Sequence, residues 1–306
     1  MPDQSHDRAD LLPIRRVAQE TGIRETTLRA WERRYGRPTP LRLPSGQRRY
    51  RWEDVLWLRQ VAELLAQGER PGELLQLAPE RLAERRLDCR SQELNPVIEQ
   101  WFELLFALRS AELKESILTE AKGCDPVDFL EGLVSTFLQE VGHRWVDGRL
   151  AIRHEHLAAD VLRSVIASLT PAAQASEPVA LLTSLTDERH GLPLQMAALV
   201  CASRKVAVTN LGVDTPLAEI VAAVRERQLQ FVAITVSLAT GGVATDRLLT
   251  RLRAELPDDV DLVVGGGGAR RARRGPKGVI FLSDLTQFAD WLENKFPRET
   301  RRSNRP

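Results

Sequence analysis

The sequence predicts a multidomain protein of the α and α/β classes, in which two helical regions precede a five-stranded parallel sheet. Two patterns along the 306 residues lead to this prediction. Up to about residue 170, apolar residues recur at the i, i+3, i+4 and i+7 positions that form one buried face of a helix. From residue 178, short β-branched runs alternate with helical stretches, which is typical of a parallel sheet covered on both faces. We therefore expect three domains, at residues 11–80, 95–170 and 178–297.

Composition limits the function classes to be considered. With 43% apolar residues the chain can bury a sizeable core, and its formal net charge of +1 creates no global field that attracts nucleic acid. Cys89, Cys124 and Cys201 are far apart and include no C-x-x-C pair, which argues against a zinc site or a disulfide framework. No apolar run approaches the roughly 18 residues of a membrane span, so we expect a cytoplasmic protein with no membrane partner.

The N-terminal region predicts two short helices with a local excess of basic residues. Residues 11–52 contain eleven arginines and three glutamates. The stretch PIRRVAQETGIRETTLRAWERRYG predicts a helix, a turn at Thr21-Gly22 and a second helix, with Val17 packed against Leu28 and Trp31. A helix that presents arginines and short hydroxyls suits the major groove of DNA. The outward positions of the second helix carry Arg24, Thr26, Thr27, Arg29, Arg33 and Arg34.

A basic hairpin is predicted after the second helix. In PLRLPSGQRRYRWEDV the glycine provides the turn, and Arg48, Arg49 and Tyr50 follow it. We interpret this hairpin as a wing that contacts the DNA backbone through these three residues. The alternative is a pair of charged helices with a solvated face. The agreement of helix, hairpin and local charge favours DNA binding.

The N-terminal motifs resemble those of the MerR family of transcriptional regulators. TLRAWERRYG, followed by the pattern P-x-R-x-x-x-G-x-R-x-Y, carries this resemblance over about residues 13–80, and RAWERRYG is similar to the branch with cobalamin-type sensor domains. The resemblance implies a winged helix-turn-helix that binds, as a dimer, a pseudo-palindromic operator in double-stranded DNA. Metal-sensing members usually carry grouped cysteines after this region. Because the cysteines here are not grouped, we do not expect a metal effector.

The C-terminal strands predict a ligand crevice in a flavodoxin-like sheet. With the strand order 2-1-3-4-5, the loops at residues 186–190, 235–237 and 265–268 lie side by side beyond the carboxyl ends of the strands, where ligands of open sheets bind. The first loop holds His190 with Glu188 two residues earlier. A carboxylate that fixes the tautomer is the usual partner of a metal-binding imidazole. The alternative is a solvated loop histidine.

This half of the chain resembles the cobalamin-binding fold of methionine synthase and of the CarH and LitR photoreceptor regulators. Their motif is D/E-x-H-x-x-G, then a Ser/Thr pair, then Gly-Gly. The resemblance implies that His190 binds cobalt in place of dimethylbenzimidazole and that Glu188 is its acid partner. It assigns the contacts with the inserted nucleotide tail to Thr235, Ser237, Gly265 and Gly266. The last glycine of the first motif is Pro193 here, and we expect it to stiffen the loop.

The stretch WVDGRLAIRHEH reproduces a second motif of the photoreceptor group. Trp145, Glu155 and His156 match the spacing W-x(9)-E-H, which that group places on a four-helix bundle above the corrin. The resemblance implies that Trp145 packs against the 5′-deoxyadenosyl group of adenosylcobalamin and that Glu155 and His156 contact it. The alternative is a buried corner tryptophan with surface histidines. CarH-type members carry a histidine directly after the tryptophan, where this chain has Val146.

These observations predict a DNA-binding transcriptional regulator rather than an enzyme. By resemblance, its adenosylcobalamin-binding half would control assembly between homodimer and homotetramer, and operator binding, in response to light. One alternative keeps the MerR-type regulator but makes the C-terminal half a cobalamin-free, degenerate module for dimerisation or protein interaction. Another is a corrinoid enzyme subunit, which would need a substrate domain, and no unassigned segment is long enough to supply one.

Overall fold

The computed structural model describes residues 11–66, 69–79, 81–82, 95–171, 177–237, 240–269 and 276–297. The chain divides into two compact units. The first comprises residues 1–95 and 140–152, and the second comprises residues 96–139 and 153–306. Within the described ranges, no helix is both long enough and apolar enough to cross a membrane.

The first unit begins with two short helices joined by a tight turn. Helix α1 spans Ile14–Thr21 and ends at Gly22, whose φ of 67° lies in the left-handed region that favours glycine. Helix α2 spans Glu25–Tyr35. The predicted helix-turn-helix is therefore present. The side chains buried in its core include Val17, Leu28 and Trp31.

A small antiparallel sheet forms the predicted wing. Among the described residues its strands are β1 (Leu12–Pro13), β2 (Leu41–Arg42) and β3 (Arg48–Tyr50), with β3 in the centre. Gly46, at a φ of 77°, lies in the turn between β2 and β3. The wing is followed by two helices that complete the core of this unit: α3 (Trp52–Ala66) and α4 (Pro71–Leu74).

The described residues 95–171 hold four helices in sequence, the third of which contains one π-helical turn and runs from the second unit into the first. In chain order the segments are α5 (Pro96–Phe106), α6 (Ser110–Ala121), α7 (Pro126–Phe129), the π turn (Leu130–Val134), α8 (Ser135–Val146) and α9 (Ile152–Leu169). Aromatic side chains pack between the helices. The ring centroid of Phe137 lies 5.4 Å from that of Trp101 and 4.9 Å from that of Phe102. These edge and tilted contacts are the preferred geometries of aromatic pairs.

Within the described residues from 177 to 297, five parallel strands form one sheet. In chain order they are β4 (Ala180–Leu185), β5 (Val208–Thr215), β6 (Phe231–Thr235), β7 (Asp261–Gly265) and β8 (Val279–Phe281). Their order across the sheet is β5-β4-β6-β7-β8, which confirms the predicted order 2-1-3-4-5. The helices of this segment are α10 (Leu192–Ser203), α11 (Leu217–Arg227), α12 (Val243–Glu255) and α13 (Leu285–Lys295).

The strand order brings three loops together at one edge of the sheet. Ser184 of β4 is the register partner of Thr235 of β6, and Thr235 is the partner of Gly265 of β7. Because these residues lie at or next to the ends of their strands, the loops that follow begin side by side. Ligands of open parallel sheets bind at this point, where the strand order reverses.

Candidate functional site

Helix α2 separates an apolar face from a basic one. Leu28 and Trp31 are buried, whereas Arg33 and Arg34 are exposed in the last turn. Arg29 is also exposed and pairs with Glu25 one turn earlier. Of the side chains predicted to face DNA, those that are exposed are Arg24, Thr26, Arg29, Arg33 and Arg34, and Thr27 is half-buried. These exposed side chains give α2 a basic surface. Its contacts with DNA bases stay a prediction.

A carboxylate on α2 holds two arginines of the wing. Glu32 Oε2 accepts a hydrogen bond from Nε of Arg48 at 2.6 Å, and Glu32 Oε1 accepts one from Nη2 of Arg42 at 2.9 Å. Burial favours a higher pKa for Glu32, but the hydrogen bonds and positive charges of Arg48 and Arg42 outweigh it and keep that pKa below its usual value. The predicted phosphate contact Arg48 is therefore also an internal ion-pair partner.

The structure corrects the assignment of Tyr50 to the DNA surface. Its side chain is fully buried in the core of the first unit, and burial raises the pKa of its phenol to about 12. A central strand packed on helices must turn one side chain inward, and at β3 this side chain is Tyr50. Arg49 lies on the wing surface, where Nη1 donates to the carbonyl oxygen of Arg48 and Nη2 donates to Oε1 of Gln47.

The loop after β4 carries a buried carboxylate bonded to the candidate cobalt ligand. Glu188 Oε1 accepts hydrogen bonds from Nδ1 of His190 at 2.6 Å and from the His190 amide at 2.9 Å. Its Oε2 accepts one from the Ser237 amide at 2.8 Å and another from the Thr240 hydroxyl. Burial would raise the pKa of Glu188, but these hydrogen bonds hold it far below its usual range. The carboxylate is therefore ionised.

An ionised Glu188 determines which nitrogen of His190 can bind a metal. Because the carboxylate can only accept, Nδ1 must carry a proton, and Nε2 is the nitrogen available for coordination. The hydrogen bond from Nδ1 raises the pKa of His190, and the negative charge of Glu155 on α9 acts in the same direction. The His190 side chain is 63% exposed. These features fit a histidine that would hold the cobalt of a corrinoid through Nε2, with Glu188 fixing its orientation.

The loops after β6 and β7 pack closely against each other, and the first of them contacts Glu188 through the Ser237 amide. A Cβ added at Gly266, where φ is 93°, would lie 2.6 Å from the carbonyl oxygen of Val236, and a Cβ at Gly268 would meet Val236 and Ser237. Among the described residues, the buried Thr235 Oγ1 has no hydrogen-bond partner. A cavity of about 60 Å³ follows, lined by residues that include Val236, Gly241, Gly268 and Phe281. The unpartnered Thr235 hydroxyl fits a hydrogen bond with an inserted nucleotide tail, whereas a cavity of this size has room for water and not for a nucleotide.

Two residues differ from the family pattern: Pro193 lies in a helix, and Val146 lies in a buried position. Pro193 lies in the first turn of α10, where an amide hydrogen has no partner within the helix, so the expectation that it stiffens the loop is wrong. Val146 is buried in the first unit, and its side chain has no group that could bind a metal.

The predicted upper-face residues fall in different units. Glu155 and His156 begin α9 in the second unit, with His156 Nε2 at 3.4 Å from Glu155 Oε2. His154, directly before Glu155 in the chain, is buried edge-on against Phe106 at a centroid distance of 5.3 Å. Trp145 belongs to the first unit. The joint contact of Trp145, Glu155 and His156 with a ligand therefore stays a prediction.

Within the first unit, the corner between α8 and α9 packs against α3. Arg59 donates a hydrogen bond to the carbonyl oxygen of Trp145, and its guanidinium lies over the Trp145 ring. His143 Nε2 lies 3.0 Å from Glu63 Oε1, and the methyl groups of Leu56 lie beside Gly148. Residues three and four apart share a helix face. The α3 residues that contact the corner have this spacing: Leu56, Arg59 and Glu63.

Known proteins match both halves of the chain. The MerR HTH family regulatory protein model matches residues 12–78, and the B12 binding domain model matches residues 97–170. The HTH-type transcriptional repressor CarH of Myxococcus xanthus is 32% identical over 263 residues, which cover 83% of this chain and 88% of CarH. The chain belongs to the CarH family of HTH-type transcriptional repressors. CarA of the same organism is 34% identical over 266 residues, 85% of this chain and 88% of CarA.

Corrinoid proteins resemble only part of this CarH-family chain. The trimethylamine corrinoid protein of Methanosarcina barkeri is 29% identical over 164 residues, 51% of this chain and 76% of that protein. The structure of the Methanosarcina barkeri monomethylamine corrinoid protein has a TM-score of 0.52 at 15% identity and covers 65% of this chain and 98% of its own. This second likeness shows the fold alone.

Membership of the CarH family establishes the general function. The chain is a transcriptional regulator with a MerR-type DNA-binding domain and a cobalamin-binding domain, and it is not an enzyme. The alternative of a corrinoid enzyme subunit is therefore excluded. Sequence reasoning missed the residues that hold the site side chains in place: Glu32, Arg59 and Thr240. Only for Thr240 was there a signal, namely a third hydroxyl close to Thr235 and Ser237.

Proposed function

We propose that the chain binds adenosylcobalamin through His190 and that this ligand, together with light, controls its oligomeric state and its affinity for an operator. The observation that carries the proposal is the pair of Glu188 and His190. It combines a buried carboxylate with an exposed imidazole whose Nε2 is available. A metal-binding histidine needs this arrangement.

Thr235 and the absence of a side-chain ligand cluster among the described residues support the choice of a corrinoid over a simple metal ion. Thr235 Oγ1 is a buried hydroxyl without a described partner, which a polar atom of a nucleotide tail could engage. A bare ion needs several side-chain ligands, and the described residues contain no group of three or more His, Cys, Asp or Glu that could hold one. A corrinoid brings four of its own nitrogen ligands and requires only an axial one.

The corner between α8 and α9 supports control of DNA binding by the ligand. It lies in the region that the B12 binding domain model matches, yet Trp145 packs on Arg59 of α3 in the DNA-binding unit. A ligand can shift a conformational equilibrium only if it interacts differently with the two states. A ligand group that contacts Trp145 would satisfy this condition, because it would bias the position of a residue that belongs to the DNA-binding unit.

The adenosyl form and the response to light rest on the match of Trp145, Glu155 and His156 to the photoreceptor motif. When bound, adenosylcobalamin supplies a cobalt–carbon bond that light can break. Trp145 offers a flat ring for packing against an adenosyl group, and Glu155 and His156 offer a hydrogen-bond acceptor and donor for its polar atoms. Loss of this group would remove the contacts that favour the dark arrangement of the corner.

The proposal is tested by spectroscopy and size-exclusion chromatography of the full chain. We expect the protein to retain adenosylcobalamin in darkness, with a spectrum that shows an imidazole in place of dimethylbenzimidazole. We also expect a larger assembly in darkness than after illumination. His190→Ala should abolish or alter the spectrum while keeping the far-ultraviolet circular dichroism. Arg189→Ala, an exposed neighbour on the same loop, is the matched control and should behave as the parent.

Different results would refute different parts of the proposal. An unchanged spectrum in His190→Ala would refute the cobalt ligation. Equal elution in darkness and light, with cobalamin bound, would refute the control of assembly. A protein that takes up no cobalamin would support the alternative of a regulator with a degenerate C-terminal module.

A further inference from the structure

The wing contains two positive charges directly opposite each other. Arg42 of β2 and Arg48 of β3 are register partners in the antiparallel hairpin. Like charges at directly opposite positions destabilise a strand pair. The hairpin itself is short, since β2 has two residues and β3 has three, and β3 is held on its other side by β1 and by the buried Tyr50. By itself, such a short hairpin would be marginally stable in water.

Glu32 neutralises this pair from outside the hairpin. Each of its two carboxylate oxygens binds one arginine, at 2.9 Å for Arg42 and 2.6 Å for Arg48, so one side chain of α2 is bonded to both strands. The Glu32 side chain is 16% exposed and the Arg48 side chain 28% exposed, which makes these charge-assisted hydrogen bonds stronger than those of a fully solvated pair. Only Nε of Arg48 takes part, so its two terminal nitrogens lie outside this pair.

We propose that Glu32 is a positioning residue for DNA binding, which fixes the wing against α2 so that the helix and the hairpin meet DNA as one surface. Glu32 lies on α2 between the exposed residues Arg29 and Arg33. Its two ion pairs therefore tie the wing to the same helix that carries the basic face. The proposal goes beyond the regulation by cobalamin and requires only that the chain binds DNA through its MerR-type domain.

Simple electrostatics and the positioning role predict opposite effects of removing this carboxylate. A glutamate beside a DNA-binding surface repels phosphates, so its neutralisation by Glu32→Gln should tighten binding if charge alone matters. If Glu32 positions the wing, the same change should weaken binding, because Arg42 and Arg48 then repel each other and lose their ion pairs with α2. The β2 strand and the tip of the hairpin would then move relative to α2, while β3 stays anchored by Tyr50. The sign of the effect therefore separates the two explanations.

Glu25→Gln provides a matched control. Glu25 lies on the same helix, and the change removes the same charge, but its partner is Arg29 of α2 and not a residue of the wing. The probe is a duplex selected from random DNA with the parent protein, and binding is measured with the full chain. We expect Glu32→Gln to weaken binding by about tenfold, the effect of losing a charge-assisted hydrogen bond. We expect Glu25→Gln to leave affinity unchanged or to raise it slightly.

Salt dependence provides a readout that a general loss of stability would not change. If the wing no longer reaches the backbone, the slope of log affinity against log salt should become shallower by about one unit for each phosphate that the wing no longer neutralises. A partly unfolded population would lower the affinity at every salt concentration and leave the slope as it is. Circular dichroism of Glu32→Gln and Glu25→Gln should match that of the parent.

A variant background tests whether Glu32 acts through the two arginines. In an Arg42→Gln/Arg48→Gln protein, adding Glu32→Gln should produce only the small change seen with Glu25→Gln, because neither arginine that Glu32 binds is still present. Three results would overturn the proposal: tighter binding by Glu32→Gln, equal effects of Glu32→Gln and Glu25→Gln, or an undiminished tenfold weakening in the background without both arginines.

Discussion

Arg59 is a buried cation in the first unit, and its replacement by methionine is a sharp test of how much its ion pair stabilises that unit. Its side chain is 2% exposed and forms an ion pair with Glu20, which is 8% exposed, at 2.6 Å. It also donates hydrogen bonds to the carbonyl oxygens of Glu20 and Trp145. Burial lowers the pKa of Arg59 to about 10 in spite of the opposing charge of Glu20, so it stays protonated at neutral pH.

We expect Arg59→Met to lower the free energy of unfolding by about 3 kcal/mol. Removing one partner of a buried ion pair typically costs about 3–5 kcal/mol, because the other charge is left uncompensated. The lower end applies here, since Glu20 keeps the second ion pair that it forms with Arg16 at 2.6 Å. Methionine also retains an apolar contact with the rings of Trp52 and Trp145, over which the guanidinium lies.

Arg16→Met is the matched control, because Arg16 binds the other oxygen of the same carboxylate. Its side chain is 50% exposed, and exposed ion pairs contribute about 0–1 kcal/mol. The two variants therefore remove an arginine from the same glutamate and differ in burial and in the two carbonyl hydrogen bonds of Arg59. Adding Glu20→Gln to Arg59→Met should recover part of the stability, since it removes the uncompensated charge.

The assay is urea denaturation of the full chain, followed by tryptophan fluorescence, with the slope of free energy against urea compared between variants. We expect a clear fall of the midpoint for Arg59→Met and a small one for Arg16→Met at unchanged slope. Equal destabilisation in the two variants would show that burial does not set the strength of this pair. A further fall of the midpoint on adding Glu20→Gln would show that the carboxylate is stabilised by other groups.

Three other predictions follow from individual contacts. Arg29→Ala or Arg33→Ala should weaken binding to a selected duplex by about 1–3 kcal/mol and relax specificity at one base pair, measured with single-base variants of that duplex. Tyr50 should ionise near pH 12 in an ultraviolet titration. The free energy of unfolding should therefore stay constant below the ordinary tyrosine pKa of 10.0, and it should fall as the pH rises from there through the raised pKa of Tyr50. Gly266→Ala should destabilise the second unit by about 1–3 kcal/mol in thermal unfolding, because Gly266 has a positive φ and the new methyl group would meet the Val236 carbonyl oxygen. An unchanged unfolding temperature would show that the loop relaxes freely.

Most of the fold could be predicted from local pattern. Alternating β-branched runs indicated the five strands, and the conventions of parallel sheets indicated their order. The exposed arginines of α2 followed from helical spacing. Two predictions were wrong because each depended on where one side chain lies in the folded protein. Tyr50 stands among arginines in the sequence but turns into the core, and Pro193 lies inside a helix turn rather than in a loop.

The sequence by itself determined the elements, the loops that meet at the sheet edge and the histidine proposed as the cobalt ligand. Only the tertiary structure decided which charges meet: Glu188 with Ser237 and Thr240, 49 and 52 residues later, and Arg59 with Glu20 and Trp145, 39 and 86 residues away. Periodicity is a local property, because it records which face of a helix or strand is buried. A buried charge instead needs a partner wherever the folded chain provides one, and sequence spacing carries no record of that partner.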